Sequence, residues 1–309
     1  MRCRRILLAA MALALALTAV PTAQASAQQH PPAPEPATFV TAQDGAIVVT
    51  SSATGDVVRR LTTPEPAGAD SEPFLADDGQ SVVFVRMVSY CLSGIYMVPT
   101  RGGAARVVVP PEAGFVTAPK LSVDGRRLAY HRVDCTAGAP TLSVREMGSG
   151  ATHTIAMPNT GYSIDYTFTA DGRRIVVLLI TGVTPPPQAW SIPVGAISYA
   201  EGRRLAVDVP GCYLRFVTRI GASGDLAFDE TCRRQFPEHV VRADAVTGRR
   251  GATLASVPET EVGFAGIDFD AAGRHFLIQG QSGAVYTVRN GAIVQLGTQT
   301  VNGMLASTW

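Results

Sequence analysis

The strongest constraint on this chain is a turn glycine that returns at a nearly fixed interval, each time between two apolar runs. Gly79, Gly125, Gly172, Gly224 and Gly273 lie 46 to 52 residues apart. The first three copies read Phe74-Leu75-Ala76-Asp77-Asp78-Gly79, Lys120-Leu121-Ser122-Val123-Asp124-Gly125 and Thr167-Phe168-Thr169-Ala170-Asp171-Gly172. Arg219-Ile220-Gly221-Ala222-Ser223-Gly224 and Asp268-Phe269-Asp270-Ala271-Ala272-Gly273 keep the apolar residue four places before the glycine. A unit of this length is too short to bury a core alone, so the period calls for a propeller or another stacked array.

Each glycine is followed by a β-rich run: Val82 to Val85, Leu128 to Tyr130, Ile175 to Leu179, Leu226 to Phe228 and Phe276 to Ile278. Continuous apolar runs of this length read as strands buried on both faces. A third strand and a polar turn come next, as in Gly94 to Val98 before Arg101-Gly102-Gly103. A fourth closes the unit, as in Ala105 to Val109 or Ala292 to Leu296. Four antiparallel strands per repeat make a propeller blade. Five repeats begin near Glu72, Ala118, Asp165, Leu214 and Gly266. The two remnants are complementary. Thr38 to Thr41, Ala46 to Thr50 and Val57 to Leu61 supply the second, third and fourth strands of a blade, and Met304 to Trp309 supplies its first. The expected fold is therefore all-β, a six-bladed β-propeller of four-stranded antiparallel blades closed by pairing the N-terminal strands with the C-terminal one, which removes an exposed sheet edge.

The Leu121-Ser122-Val123-Asp124-Gly125 segment resembles the TolB-like family of WD-like propellers, whose blades open with an aromatic or aliphatic residue followed by Ser-Pro-Asp-Gly or a close variant. The resemblance implies the propeller part only, with the family's Pro replaced throughout and no counterpart of the α/β domain that precedes the propeller in TolB.

Residues 1–27 read as a secretory signal peptide: basic Arg2, Arg4 and Arg5, an apolar stretch from Ile6 to Val20, and a small-residue end at Ala25-Ser26-Ala27. That apolar stretch is short for a membrane span. Residues 28–36 form a Pro-rich linker, and residues 37–309 a single propeller domain. An exported chain is expected to be secreted or extracytoplasmic, where its four cysteines beyond the leader form disulfides. In a blade, the loop between second and third strands shares a face with the loop entering the next blade, and all four cysteines fall on that face. The register predicts Cys91–Cys135 and Cys212–Cys232.

Lys plus Arg is 26 against 25 Asp plus Glu, and loss of the leader's arginines makes the balance slightly negative. Nothing in that balance draws the protein to nucleic acid or to an anionic membrane. The Asp-Gly pairs read as hairpin turns rather than calcium loops, since no alternating acidic loop surrounds them. His30, His131, His153, His239 and His275 show no metal-ligand spacing, although His131 with Asp134 or His239 with Glu238 offers a channel-site alternative. No Gly-x-Ser-x-Gly elbow is present. Glu112, Asp165, Glu201, Asp229 and Glu230 are the acids from which a catalytic carboxylate pair would be drawn. The arginine pairs, such as Arg126-Arg127 and Arg173-Arg174, read as solvated hairpin edges. No cofactor or metal is expected.

The functional expectation is an exported, non-catalytic, monomeric binding or scaffold propeller that recognises a protein or peptide partner through its disulfide-tied loop face. Tyr90 and Tyr213, each beside a loop cysteine, and Lys120 and Arg219, on the innermost strands, are the candidate contacts. The alternative is an extracytoplasmic hydrolase or lyase with a site at the channel mouth.

Overall fold

The computed structural model describes residues 36–309 except 64–67, 136–139, 159–160, 182–185, 233–234, 258–263, 281–282, 290–291, 297–306 and 309. The expected leader (1–27) and all of the linker but Pro36 lie outside the described residues. No helix among the described residues is long and apolar enough to cross a membrane.

Six four-stranded antiparallel sheets form the blades. Blade one comprises Ala69–Leu75, Ser81–Ser89, Leu92–Pro99 and Arg106–Ala113. Blade two comprises Phe115–Leu121, Arg127–Val133, Thr141–Glu146 and Thr152–Ile155. Blade three comprises Gly161–Phe168, Arg174–Thr181, Gln188–Pro193 and Arg203–Arg204. Blade four comprises Cys212–Arg219, Asp225–Cys232, Gln235–Asp244 and Arg250–Val257. Blade five comprises Phe264–Phe269, Phe276–Gly280, Val285–Arg289 and Ala292–Gln295. Blade six joins both chain ends: Ser307–Thr308 pairs with Thr38–Gln43, which continues into Ala46–Ser51 and Val57–Arg60. The closing register sets Val40 opposite Thr308 and Thr41 opposite Ser307.

The second strand of each blade is a wedge buried on both sides, which is why these strands are apolar at consecutive positions. Val82 and Phe84 pack into a core that spans blades five, six and one, whereas Val83 and Val85 pack against Leu121, Leu128 and Tyr130 of blade two. Ile175, Val177 and Leu179 face blade two, while Val176 and Leu178 face Leu214, Val217 and Phe228 of blade four. Blade four meets blade five through Ala227, Val240, Ile267 and Ile278. Strand alternation thus gives every blade two neighbours.

The repeated turn has a repeated physical basis. The amides of Gly79, Gly125, Gly172 and Gly273 each donate to the carbonyl three residues back, with φ between +64° and +67° at the glycine, a region where only glycine is unstrained. In the two copies closest to the family motif, the Asp carboxylate belongs to the turn. Asp124 Oδ1 accepts from Ser122 Oγ (2.6 Å) and the Arg126 amide (3.1 Å), and Asp171 Oδ1 accepts from Thr169 Oγ1 (2.6 Å) and the Arg173 amide (3.0 Å). The donated hydroxyls hold both carboxyls below the usual aspartate range.

The arginine pairs depart from expectation at their second members. Arg127 Nε bonds Glu146 (2.7 Å) and its Nη1 reaches the Gly172 carbonyl of the next blade (3.2 Å), and Arg174 bonds Ser191, so these side chains are structural rather than solvated edge charges. The fork of a guanidinium can span two strands while its stem stays along the sheet.

Deleting residues 304–309 should open the ring and expose the edge of Thr38–Gln43. The expected result is a melting temperature roughly 10 °C lower and concentration-dependent association. Calorimetry with size-exclusion chromatography checks it, and an unchanged melting point would show that the closing pair contributes nothing.

Candidate functional site

The innermost strands of blades one to five each carry a register shift near the same place, between Ser71 and Phe74, Thr117 and Lys120, Ser163 and Asp165, Leu214 and Val217, and Phe264 and Gly266. These bulges break the ladder and leave backbone groups that a neighbouring blade satisfies. Glu72 and Ala118, the residues seven places before their turn glycines, have φ of +50° and +51°. The Glu72 carboxylate accepts the Ala118 amide, the Tyr166 hydroxyl donates to the Ala118 carbonyl, and Asp165 Oδ2 accepts the Val217 amide at 2.8 Å. Acids at this register clasp blade one to two and blade three to four.

Lys120, the chain's lone lysine, sends Nζ to Asp165 Oδ1 at 2.9 Å and lies 5.4 Å over the Tyr166 ring. Arg219 crosses the ring to blade one, where its Nη2 is 2.7 and 2.6 Å from the two Asp77 oxygens. The structure therefore places both of these candidate cations in the channel wall, in separate ion pairs. Burial pushes the Glu72 carboxyl up to about 7, with the Ala118 amide only partly opposing it. The Tyr166 hydroxyl is pushed up by burial and by the charges of Asp165 and Glu72.

A second acidic group sits between blades four and five. Arg215 bridges Asp229 (Nε to Oδ2, 2.8 Å) and Glu238 (Nη2 to Oε2, 2.5 Å), and Thr231 donates to Glu238. Asp229 is fully buried, and its Oδ1 has no partner among the described residues. Burial, reinforced by the charge of Glu238, pushes its carboxyl up to about 7 against the pull of Arg215. Glu230, adjacent in sequence, points to the other face and pairs with Arg250. Alternation sends Asp229 and Glu230 to opposite faces and sets Asp229 beside Glu238, two residues on facing strands whose register no local pattern reveals.

The remaining candidate acids have structural partners. Glu112 pairs with Arg132 at 2.6 Å, and Glu201 Oε1 accepts the Ile197 and Ser198 amides in a capping box at the 3-10 turn Tyr199–Glu201. Of the described histidines, His131, His153 and His239 lie on separate strands. His131 is buried edge-on to Tyr166 (4.8 Å between centroids) and pushed down to about 3 by burial and Lys120. His153 Nε2 is 2.9 Å from the Val194 carbonyl, and His239 Nδ1 is 2.9 Å from Ser256 Oγ. His239 and Glu238 are on opposite faces of their strand, and His30 lies outside the described residues. His275 follows the blade-five turn, its amide donating to Asp270.

The disulfides pair as Cys91–Cys135 and Cys212–Cys232. The first ties the loop between second and third strands of blade one to that of blade two, and the second joins first and second strands within blade four, where Cys212 and Cys232 are cross-strand partners. Glu230 lies within 4.8 Å of both blade-four sulfurs, but the sulfurs are bonded to each other and Glu230 to Arg250. Tyr90 is 92% exposed and meets Phe115 edge-on at 6.2 Å, while Tyr213 is 44% exposed. Both lie on the disulfide face, yet three blades apart, so the ring does not bring them into one patch.

At the opposite mouth, on the side of the turn glycines, blades one to five line a cavity of about 190 Å³. Phe74, Asp77, Thr167, Thr218, Arg219, Asp268, Phe269 and Asp270 line it, with Pro36 at its edge. Arg219, which the sequence placed on an innermost strand, lines this mouth, on the face away from the disulfides. The acids and aromatics around it come from other repeats.

No protein-family model matches the chain, and no curated protein matches it by sequence. Similar solved structures include TolB from Acinetobacter baumannii, at 14% identity and a TM-score of 0.64, over 88% of this chain and 65% of TolB. Puromycin hydrolase matches at 16% identity and a TM-score of 0.57, over 87% of this chain and 45% of the hydrolase. Oligogalacturonate lyase from Vibrio parahaemolyticus matches at 14% identity and a TM-score of 0.56, over 84% of this chain and 74% of the lyase. The chain spans less than two thirds of TolB and less than half of the hydrolase. The likeness shows a shared fold, the six-bladed propeller.

Glu72→Gln keeps the acceptor for the Ala118 amide and removes the charge. Between pH 4.5 and about 7 the folded chain holds a proton at Glu72 that the unfolded chain has released, so wild-type stability falls as pH rises through that window. The variant should match wild type near pH 4 and exceed it by at most about 3 kcal/mol above pH 7. Denaturant unfolding at the two pH values reads the difference, and a pH-independent gap would show that Glu72 titrates normally.

Proposed function

We propose that the chain is an exported, non-catalytic binding propeller that captures a protein or peptide partner on its disulfide-tied loop face. The observation that carries this reading is the clasp at Cys91–Cys135, with Tyr90 standing 92% exposed beside it against Phe115. A large aromatic held on a covalently tied loop offers contact area at low ordering cost, which is the character of an interface anchor. Closing a loop with the 44-residue separation of Cys91 and Cys135 contributes on the order of 4 kcal/mol on the chain-entropy model. Disulfides also support an extracytoplasmic location. In the channel, Lys120, Arg219 and Arg215 are engaged with acids, which supports a wall built for stability rather than for proton transfer.

The test is capture of cell-surface proteins by immobilised residues 28–309. Tyr90→Ala should weaken capture of the specific partner about tenfold or more without changing the melting temperature. Tyr213→Ala, on the far side of the ring, should leave it intact. Equal capture by wild type and Tyr90→Ala would remove the reading.

A second reading, a hydrolase or lyase, is favoured by one observation, the buried Asp229 carboxyl with its elevated pKa beside Glu238. Turnover of peptide or oligogalacturonide substrates by wild type, abolished in Asp229→Asn, would replace the binding reading with this one.

A further inference from the structure

We infer that Cys212 and Cys232, once reduced, form with Glu230 a three-donor site for a borderline divalent cation such as Zn²⁺, so that the blade-four disulfide is the closed state of a redox-gated metal centre. The site lies across the ring from Tyr90 and does not depend on the partner surface proposed above.

The donors are already assembled. Cys212 Sγ, Cys232 Sγ and a Glu230 carboxylate oxygen lie within 4.8 Å of one another, and no other group of three such donors does so among the described residues. Arg250 holds Glu230 Oε2, which fixes the carboxylate and leaves Oε1 3.7 Å from Cys232 Sγ. The Glu230 side chain is 2% exposed, and among the described residues this sulfur is the one neighbour of Oε1 in hydrogen-bonding range. A disulfide sulfur has no proton to give, so the oxidised state leaves a buried carboxylate oxygen aimed at the sulfurs without a donor. A cation shared by two thiolates and Oε1 supplies what is missing. Two sulfurs and one oxygen suit tetrahedral coordination with water in the fourth place, and Arg250 becomes the outer partner that orients the carboxylate. Calcium and magnesium, which take oxygen ligands, do not fit this set.

Reduction leaves the arrangement standing. Cys212 and Cys232 face each other at the end of a ladder whose next pairs, Tyr213 with Thr231 and Leu214 with Glu230, do not need the disulfide. Both cysteines are half-buried, and Cys212 lines a recess of about 240 Å³ with Pro186, Pro187, Pro210 and Leu214, where a small dithiol reaches the bond. One thiolate of the dithiol attacks Cys212 Sγ and displaces the Cys232 thiolate. Its second thiol then releases Cys212, and the reagent leaves as a cyclic disulfide, having supplied both electrons. The cation replaces the two thiol protons, which pass to solvent.

Zinc and cobalt titrations of residues 28–309, oxidised and after anaerobic reduction with dithiothreitol and its removal, test the assignment. The reduced protein should bind one Zn²⁺ per chain with a Kd of about 1 μM or tighter, and Co²⁺ should show the thiolate charge-transfer and visible bands of tetrahedral coordination. The oxidised protein should bind at least about a hundredfold more weakly, a comparison that needs no substitution. Reduced Cys212→Ser, which keeps both cysteines of the other disulfide, should weaken zinc binding about a hundredfold, and Glu230→Gln about tenfold with the thiolate band retained. A folded reduced protein without zinc affinity, equal binding by the oxidised protein, or undiminished binding by either variant would overturn the inference, as would loss of the circular dichroism spectrum on reduction.

Discussion

A strand pairing that joins residues more than 260 positions apart in sequence, Val40 with Thr308 and Thr41 with Ser307, decides whether this chain is a ring or an open stack. Every blade is a wedge whose second strand is apolar on both faces, so each needs a neighbour on either side. An open array would leave two such faces in water. Closure removes them both, and with them the bare ladder of Thr38–Gln43, which makes the short C-terminal strand more important than its length suggests. The core spanning blades five, six and one, with Phe39, Ile47, Phe84 and Leu277, is the apolar counterpart of that pairing.

The polar interior follows from the same geometry. Innermost strands converge on an axis, and their bulges leave amides that cannot be served within the blade. Glu72 and Asp165 serve them across the blade boundary, and Lys120 in turn neutralises Asp165. At Asp229, whose partner Arg215 also serves Glu238, burial outweighs the pull of the guanidinium and pushes the carboxyl up to about 7.

The two ends of the channel differ in kind. One is tied covalently by Cys91–Cys135 and Cys212–Cys232 and presents exposed tyrosines. The other is a recess with buried charge, where Arg219 reaches from blade four to Asp77 of blade one. A propeller separates such features well because loops of opposite faces never approach each other, so one chain carries two independent surfaces on a single rigid ring.

The turn motif, the apolar second strands, the blade count, the closing pair and both disulfides were legible in the sequence, because each depends on local periodicity or on register counted from a glycine. The candidate acids were legible as residue types but not as partners. Glu238 with Asp229, Glu72 with Ala118, and Arg219 with Asp77 are separated by the width of a strand or by whole blades, and their meeting depends on bulges and on the curvature of the ring. Tyr90 and Tyr213 show the converse. Sequence placed them on one face, and only the closed ring set them on opposite sides of it. A repeating pattern determines which residues share a layer, because strand period is a property of the backbone, whereas which residues touch across the axis is fixed only when six blades close and set the distances between them.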